Sequence, residues 1–374
     1  LWMERYGLED GMAQGTVFDI IEDREGFLWF ASHSGVLRFD GYEFQGFDDF
    51  AVNGQKPSSP RVYALCEDRQ NTLWIGTLRD INRYHRETGM VENIPIRYPD
   101  GSILEEVQIL DLIEDSRGNI WFGSNHGIGR RAPGSPFFQL IDSLPGQGID
   151  HRFSVFQLIE DQQGNILGAG PDGIYRIHPD TPAYAYITPD GGTRRDKLHA
   201  ICQDRRGRIW LGSMDGLWQW QPENKRILPS GLPDSLGKHG IRALLEDRKG
   251  NLWIALIKAG LVSWNPDNGE LMHFTYSPYN PDGLVKDAVV GLMEDRFGNI
   301  WASTNNGVNK INFEAQKFDI YQNVPGYDLE ENYVLCMLRQ KDGSFWSGAI
   351  EGLSYSDSLG GPVTLYKAPP KGNS

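Results

Sequence analysis

Residues 17–40 read VFDIIEDREGFLWFASHSGVLRFD, and this stretch decides the fold because the chain repeats it. Eight copies are present, with centres 43 to 48 residues apart at Trp29, Trp74, Trp121, Leu167, Trp210, Trp253, Trp301 and Trp346. Seven of the eleven tryptophans occupy this one position, so chance does not explain the pattern. A repeat of this length indicates an array of similar supersecondary units.

Each copy contains the same series of strands and turns. The stretch before each Glu-Asp pair is apolar on both alternating faces, which predicts a strand buried on both sides. Asp115 and Gly118 illustrate the next turn, where the Asp side chain accepts backbone amides and Gly takes a positive φ. The second strand carries the Trp and then a small residue such as Gly123, which leaves room for a neighbouring sheet. A second Gly turn, a third strand and a more variable fourth strand complete the copy.

Four antiparallel strands per copy, at this period, predict an all-β fold, the β-propeller. The closely spaced Gly-rich turns exclude helical repeats of similar length. Residues 1–6 resemble a fourth strand, and we expect them to join the last blade and close the ring. Eight copies favour eight blades, and a seven-bladed ring plus an extra blade is the alternative. We expect residues 1–374 to form a single propeller domain.

Composition excludes several classes of protein. The chain has 36 Lys and Arg against 50 Asp and Glu, a net charge of −14 with no basic stripe, so no nucleic-acid partner is expected. Cys66, Cys202 and Cys336 are widely spaced in apolar runs, which favours buried thiols over a disulfide framework or a zinc site. The eight histidines form no HExxH motif and no close pair, so neither a metal nor another cofactor is expected.

Several copies carry a recognisable local pattern. Glu67-Asp68 is followed by LWIGT at residues 73–77, Glu114-Asp115 by IWFGS at residues 120–124, and YGLEDGM at residues 6–12 precedes the first copy. This pattern resembles the two-component regulator propeller repeat over essentially the whole chain.

The resemblance implies an extracytoplasmic sensor region of a bacterial membrane receptor. In such receptors the propellers are followed by a small β-sandwich, one transmembrane helix, and a histidine kinase or a diguanylate cyclase. The chain is therefore expected to be the N-terminal sensor fragment of a longer receptor, periplasmic and attached to the inner membrane in the full-length protein, where homodimers are also expected. Some relatives sense oligosaccharides, and the segment itself is not expected to be an enzyme.

Two sets of residues are assigned to the scaffold. The Glu-Asp pairs recur in nearly every copy, whereas an active site is needed once, and neighbours on a strand point to opposite faces. We therefore predict that these pairs cap hairpins and form hydrogen bonds between blades. Trp218, Trp220 and Trp264 lie off the repeat, and packing is favoured over a platform for a sugar ring.

Ligand binding in a propeller belongs to its loops, because the strands are occupied with packing. The turn after each Trp strand and the loop that enters the next copy should open on one face. No catalytic residue is predicted. The predicted ligand-binding residues are the departures from the consensus and the polar tips on that face: His33, Arg79, Asp80, Asn125, His126, Asp172, Asp215, Lys258, Asn305, Asn306 and Glu351.

Three functions remain open. The favoured one is a sensor propeller that binds a carbohydrate or another small ligand at its loop face. The second is a protein-interaction or dimerisation scaffold without a small ligand. The third is a propeller glycosidase or lyase, which would need acids, or a His with Tyr or Arg, converging at the channel; no such one-off set is evident in the sequence.

Overall fold

The computed structural model describes residues 2–12, 15–51, 55–143, 153–178, 183–187, 197–223, 226–278, 283–312, 334–340, 342–349, 352–357 and 363–367. The chain divides into two compact units, Leu1–Ala315 and Gln316–Ser374. The prediction of one domain over residues 1–374 stays a prediction. None of the helices in the described part of the chain has the length and apolarity that crossing a membrane requires.

The described residues form eight sheets, numbered here by repeat. Strand β1 is Trp2–Tyr6, and sheet 1 consists of β2 (Val17–Glu22), β3 (Leu28–Ser32), β4 (Gly35–Phe39) and β5 (Phe44–Gly46). Sheet 2 consists of β6 (Val62–Glu67), β7 (Leu73–Thr77), β8 (Ile81–His85) and β9 (Met90–Ile94). Sheet 3 consists of β10 (Ile96–Arg97), β11 (Ile103–Leu104), β12 (Ile109–Glu114), β13 (Ile120–Ser124), β14 (Gly127–Arg131) and β15 (Phe138–Leu140). Sheet 4 consists of β16 (Asp142–Ser143), β17 (Gln157–Glu160), β18 (Ile166–Gly170), β19 (Gly173–Ile177) and β20 (Ala183–Ile187).

The remaining sheets repeat this order. Sheet 5 consists of β21 (Leu198–Gln203), β22 (Ile209–Ser213), β23 (Gly216–Gln221) and β24 (Arg226–Pro229). Sheet 6 consists of β25 (Ile241–Glu246), β26 (Leu252–Leu256), β27 (Gly260–Trp264) and β28 (Leu271–Phe274). Sheet 7 consists of β29 (Val289–Glu294), β30 (Ile300–Thr304), β31 (Gly307–Asn312) and β1. Sheet 8 consists of β32 (Val334–Arg339), β33 (Phe345–Ala349), β34 (Gly352–Ser356) and β35 (Val363–Lys367). Short helices are a 3-10 turn (Leu8–Asp10), α1 (Phe47–Phe50) and α2 (Asp234–Gly237).

The first unit is a closed ring of sheets 1–7. The first strands of these sheets contact one another in chain order, and β29 of sheet 7 contacts β2 of sheet 1. Strand β1 pairs antiparallel with β31, with Met3 opposite Ile311, and so supplies the fourth strand of sheet 7. Seven blades, the alternative from the sequence, therefore describe this unit. The N-terminal strand closes the ring as predicted, but on the seventh copy, because β31 offers the open edge that β1 fills.

A cycle of hydrogen bonds joins the seven sheets at the hairpin that follows each first strand. In every sheet, the amide after the hairpin Asp donates to the Glu or Gln side chain at the end of the next first strand. These bonds run Arg24–Glu67, Arg69–Glu114, Ser116–Glu160, Gln162–Gln203, Arg205–Glu246, Arg248–Glu294 and Arg296–Glu22, over 2.6–3.1 Å. The last bond returns to sheet 1. The predicted blade-to-blade role of the Glu-Asp pairs is confirmed.

The Asp of each pair caps its own hairpin. The Oδ1 atom of Asp247 accepts the amides of Lys249 and Asn251 at 2.9 and 2.8 Å, and its Oδ2 atom accepts the indole N–H of Trp253 at 2.9 Å. The same Asp–Trp bond recurs at Trp29, Trp74, Trp121, Trp210 and Trp301. In sheet 4, where Leu167 replaces Trp, the side-chain amide of Asn165 bonds to Asp161 instead. Six of the seven hairpins are thus tied to the buried Trp ring beside them.

The core lies between adjacent sheets. The repeat tryptophans of the first seven copies, and Leu167, are almost fully buried, and Trp29 of sheet 1 packs with Val62, Leu65 and Ile75 of sheet 2. The eighth copy differs, because Met337 and Leu353 are 64% and 50% exposed. Their counterparts in sheet 1, Ile20 and Val36, are 4% and 1% exposed.

Candidate functional site

A β-bulge interrupts the first strand of most sheets at the same position. The pairing of β2 with β3 skips from Val17 to Asp19, and equivalent skips occur in β6, β12, β21, β25 and β29. The skipped residue is left out of the ladder, and bulges commonly redirect a side chain in this way. In sheet 4 the register places Phe156 at the same position, next to Gln157.

These positions define the bulge ring: Phe18, Tyr63, Leu110, Phe156, His199, Arg242 and Val290. All seven are partly exposed, whereas most of their neighbours on the strands are buried. Two adjacent pairs are in contact: the ring centroids of Phe18 and Tyr63 lie 4.6 Å apart, and those of Phe156 and His199 lie 4.8 Å apart. The bulge ring is therefore a partly exposed surface where the seven first strands begin.

The bulge ring lies on the face that the sequence predicted for ligand binding. In sheet 1, Val17 at the start of β2 pairs with Ser32 at the end of β3, so the bulge and the turn after the Trp strand share one end of the sheet. The His33 ring of that turn contacts Phe18 with 4.9 Å between ring centroids.

Carboxylates occupy the next position on two of the strands. Asp19 accepts the amide of Leu65 on sheet 2 at 2.9 Å, and Asp111 accepts the amide of Leu158 on sheet 4. Burial raises the pKa of Asp19 to about 6 and that of Asp111 to about 7, although these amide bonds oppose the shift. Both carboxyls therefore change protonation near neutral pH and also link neighbouring sheets.

The opposite side of the ring is basic. Burial, together with the positive charges of Arg242 and Lys197, lowers the pKa of His199 to about 4. Burial also lowers the pKa of the Arg242 guanidinium. The bulge ring is thus aromatic at Phe18 and Tyr63 and basic on sheets 5 and 6.

The predicted ligand-binding residues lie in the turns around the bulge ring. Backbone amides in five of these turns donate to the Ser or Thr hydroxyl that ends the Trp strand, which fixes the turn and leaves its tip in solvent. Exposed tips are His33, Arg79, Asp215, Lys258, Asn305 and Asn306, and partly buried ones are Asn125, His126 and Asp172. Lys258 has a φ of 59°, the left-handed region that lysine rarely adopts. Glu351 lies outside the described residues. Their contact with a ligand stays a prediction.

Asp80 has a structural role that the sequence did not reveal. Its carboxylate accepts hydrogen bonds from Ser58, Thr77, Asn82 and Asn93. Four donors on one carboxylate hold the turn that lacks the usual Gly, and they tie it to the loop from sheet 1.

The alternative aromatic platform is buried. Trp220 and Trp264 are 2% and 6% exposed, and the half-buried Trp218 donates its indole N–H to Ser213 at 3.1 Å. Packing, the favoured interpretation, explains these rings. Of the three cysteines, Cys66 is buried as predicted, but Cys202 is only partly buried and Cys336 is exposed, which corrects that prediction.

A pocket of about 340 Å³ opens at the hairpin end of sheets 1 and 2. Asp23, Trp29, Arg38, Tyr84 and Arg86 are among the residues that line it. The Arg86 guanidinium lies 2.9 Å from the Asp23 carboxylate and 2.8 Å from that of Glu67. The guanidinium is thus paired with a carboxylate from each of the two sheets, and it joins them at this pocket.

Four segments match the family model described as the two component regulator propeller: residues 56–79, 103–126, 196–215 and 235–257. Four of the eight copies therefore match the two component regulator propeller repeat. Each of the four matched segments contains one bulge-ring residue, namely Tyr63, Leu110, His199 and Arg242. The matched repeats therefore supply four members of the bulge ring. A search of curated protein sequences finds no match.

Solved structures share the fold of these regulator propeller repeats. The extracellular domain of a protein named as the hybrid two component system BT3049 from B. thetaiotaomicron is 20% identical, with a TM-score of 0.72, and the alignment covers 98% of this chain and 49% of that one. The extracellular domain of BT4673 from the same organism, named as a one component system, is 19% identical, with a TM-score of 0.69. The alignment covers 99% of this chain and 48% of that one. The chain thus spans about half the length of these two domains. A streptogramin B lyase is 14% identical, with a TM-score of 0.64 and coverage of 83% and 97%.

Sequence reasoning missed the bulge ring. The signal was nonetheless present, because the residue at this position reads Phe, Tyr, Leu, Phe, His, Arg and Val around the seven sheets, while the flanking positions stay apolar or small in most copies. A position that varies within an otherwise regular repeat is released from packing.

Proposed function

We propose that this chain is the ligand-sensing propeller of an extracytoplasmic receptor, and that the bulge ring with its surrounding turns forms the ligand site. The observation that carries the proposal is the bulge ring itself. Other partly exposed positions of the first strands, such as Ile21 and Glu114, pack against the core or bond to the neighbouring sheet. The bulge position lies outside the strand ladder, is partly exposed and differs in chemistry around the ring.

The placement outside the cytoplasm is supported by two neighbours that are extracellular domains of signalling systems. A periplasmic receptor would present the propeller to ligands that enter the periplasm. Signalling requires that the ligand favour one arrangement of the receptor over another, since equal binding to both shifts nothing. Homodimerisation of the full receptor would provide such an arrangement.

Phe18 and Tyr63 are suited to contact a sugar or another ring-shaped ligand. Both rings are partly exposed, and an aromatic face gives apolar contact while the nearby turn tips supply polar groups. A carbohydrate or small-molecule ligand is therefore the favoured class. The lyase neighbour shares the fold at low identity, and we propose that this segment is not an enzyme.

A thermal-unfolding screen against oligosaccharides, peptides and metabolites tests the proposal. A ligand at one hundred times its dissociation constant should stabilise the chain by about 2.7 kcal/mol. The stabilisation should be lost in Phe18→Ala and Tyr63→Ala. It should persist in Phe297→Ala, which removes a 79% exposed ring from the hairpin end of sheet 7.

Two outcomes would contradict the proposal. If no compound shifts the unfolding temperature while a partner protein does, the scaffold alternative is favoured. If a ligand is chemically converted during incubation with the pure chain, the enzyme alternative is favoured.

A further inference from the structure

Three basic side chains lie together on one side of the bulge ring. Lys197 precedes β21, His199 is the bulge residue of β21, and Arg242 is the bulge residue of β25, the strand that contacts β21. Both Arg242 and Lys197 act on the pKa of His199 in the direction of charge repulsion. Lys197 and Arg242 therefore lie close enough to His199 to place two positive charges beside its neutral imidazole.

This side of the bulge ring lacks an acidic partner. Arg242 is partly buried, yet it forms no hydrogen bond or ion pair with any residue that the structure describes. The positions after the bulge on β21 and β25 are Ala200 and Ala243, where sheets 1 and 3 carry Asp19 and Asp111. The bulge ring thus has an acidic side at sheets 1 and 3 and a basic side at sheets 5 and 6.

Arg242 is only partly buried, but burial without an ion pair still disfavours its charge and lowers its pKa. Removing a charge from water without pairing it lowers the stability of the fold. The chain has 50 acidic residues, so a carboxylate partner for Arg242 could have been placed nearby. His199 adds a second unsatisfied group, because its Nδ1 atom is buried without a hydrogen-bond partner among the described residues. The Phe156 ring stacks on His199 at an interplanar angle of 15° and holds the imidazole in place.

We propose that Lys197, His199 and Arg242 bind an oxyanion of the ligand, a carboxylate or a sulfate. The guanidinium fork matches the two oxygens of a planar carboxylate, and Lys197 adds a mobile positive charge at the rim. The His199 imidazole is a hydrogen-bond donor to the same group. The acidic side at Asp19 and Asp111 disfavours the anion there and so fixes its position. This assignment rests on the proposed ligand site and names the chemistry of what that site accepts.

Isothermal titration calorimetry on the whole chain, at constant ionic strength, tests the assignment with three probes: glucuronate, inorganic sulfate and glucose. We expect glucuronate to bind more tightly than glucose, and Arg242→Gln to weaken glucuronate or sulfate binding at least tenfold. Arg226→Gln is the matched control, because it removes the same charge from the exposed outer strand of sheet 5. It should leave affinity unchanged. Sulfate binding without glucuronate binding would still support an oxyanion site and would identify a free anion as its ligand.

The unfolding temperature of the anion-free variants separates binding from scaffold roles. Since Arg242 is unpaired, Arg242→Gln should unfold at the same or a higher temperature than the wild-type chain. A lower temperature would mark Arg242 as structural and overturn the assignment. Equal affinities of the wild type and Arg242→Gln for both anions, or no anion binding at all, would overturn it as well.

The two proposals fail in different ways. Binding of neutral oligosaccharides that depends on Phe18 but not on Arg242 would overturn the oxyanion assignment and leave the sensor function standing. The opposite result would be that anions bind, that binding is lost in Arg242→Gln, and that no bound ligand changes the output of the receptor. This result would overturn the sensor function and leave the oxyanion site standing.

Discussion

A few carboxylates hold neighbouring sheets together at the level of single residues. Asp111 accepts the amide of Leu112 on its own strand and that of Leu158 on the next sheet. Asp19 makes the same pair of bonds to Ile20 and to Leu65. Both carboxyls are enclosed where the first strands meet, so their charge is expensive even though each is hydrogen-bonded.

This enclosure makes stability depend on pH. Because the folded pKa of Asp111, about 7, exceeds its ordinary value of 3.8, the folded chain binds more protons than the unfolded chain between these values. Its contribution to the free energy of unfolding therefore falls as pH rises from 4 towards 7 and is constant above. In the wild type, the free energy of unfolding measured with urea should fall between pH 5 and pH 8. In Asp111→Asn we expect this fall to be smaller by on the order of 1 kcal/mol.

Asp100→Asn is the control for this prediction. Asp100 is exposed, and hydrogen bonds from Ser102 lower its pKa, so it titrates below the pH range of the measurement. Its replacement should leave the change between pH 5 and pH 8 as in the wild type. An identical pH dependence in Asp111→Asn and the wild type would show that Asp111 is ionised throughout.

Sequence alone predicted the residues that act locally and missed those that act across sheets. Asp23 and Gly26 were assigned to a hairpin from their spacing, and the structure confirms it with three amide bonds to Asp23 and a φ of 98° at Gly26. The indole bond to Trp29 was not predicted, because it depends on how the folded hairpin places a residue six positions away. The bonds from Ser58 and Asn93 to Asp80 are not predictable for the same reason, since these residues reach it only after folding.

The small residue after each Trp sets the distance between sheets at the level of strands. A Cβ atom added to Gly76 of β7 would lie 2.6 Å from Cγ2 and 3.0 Å from Cβ of Ile109 on sheet 3. An approach this close cannot be accommodated unless Ile109 or the backbone of one of the two strands moves. The predicted match of a large ring with a nearby hollow is confirmed at this joint.

Gly76→Ala tests this packing directly. We expect it to destabilise the chain by about 1–3 kcal/mol in urea unfolding, because an extra methyl group must push two sheets apart. Gly7→Ala is the control, since no atom lies within 4 Å of an added Cβ and the φ of Gly7, −147°, suits any residue. Equal stabilities of the two variants would show that the sheets are not in close contact there.

The sequence marks the bulge-ring position of the first strand as variable but does not show that it is a bulge. A strand interrupted by one unpaired residue has the same composition as a regular strand, and only the pairing of Val17 and Asp19 with their partners on β3 reveals it. Its consequence for function is large, because the bulge is what takes Phe18, His199 and Arg242 out of the packed interior. The loops, where function was sought, lie around these residues.

At the largest scale, the first unit is defined by the closure of its ring of sheets. Counting repeats favoured eight blades, since the eighth copy retains the Trp and the turn glycines. The count could not reveal that the N-terminal strand already completes the seventh sheet. Arg5 strengthens this closure, because its guanidinium donates to the carbonyl oxygens of Gly283 and Leu284 at 2.9 and 3.0 Å.

A cysteine pair tests the closure, on which the bulge ring and both proposals depend. Glu4 of β1 lies opposite Lys310 of β31, and their side chains form an ion pair at 3.5 Å, so they share one face of sheet 7. In Glu4→Cys/Lys310→Cys we expect mild oxidation of the folded chain to form a disulfide between these positions, identified by peptide mapping. The comparison variant is Glu4→Cys/Tyr355→Cys, which carries the second cysteine at the matching position of β34. A disulfide in the first pair and not the second is the predicted result; a disulfide in the second pair and not the first would contradict a ring of seven sheets closed by β1.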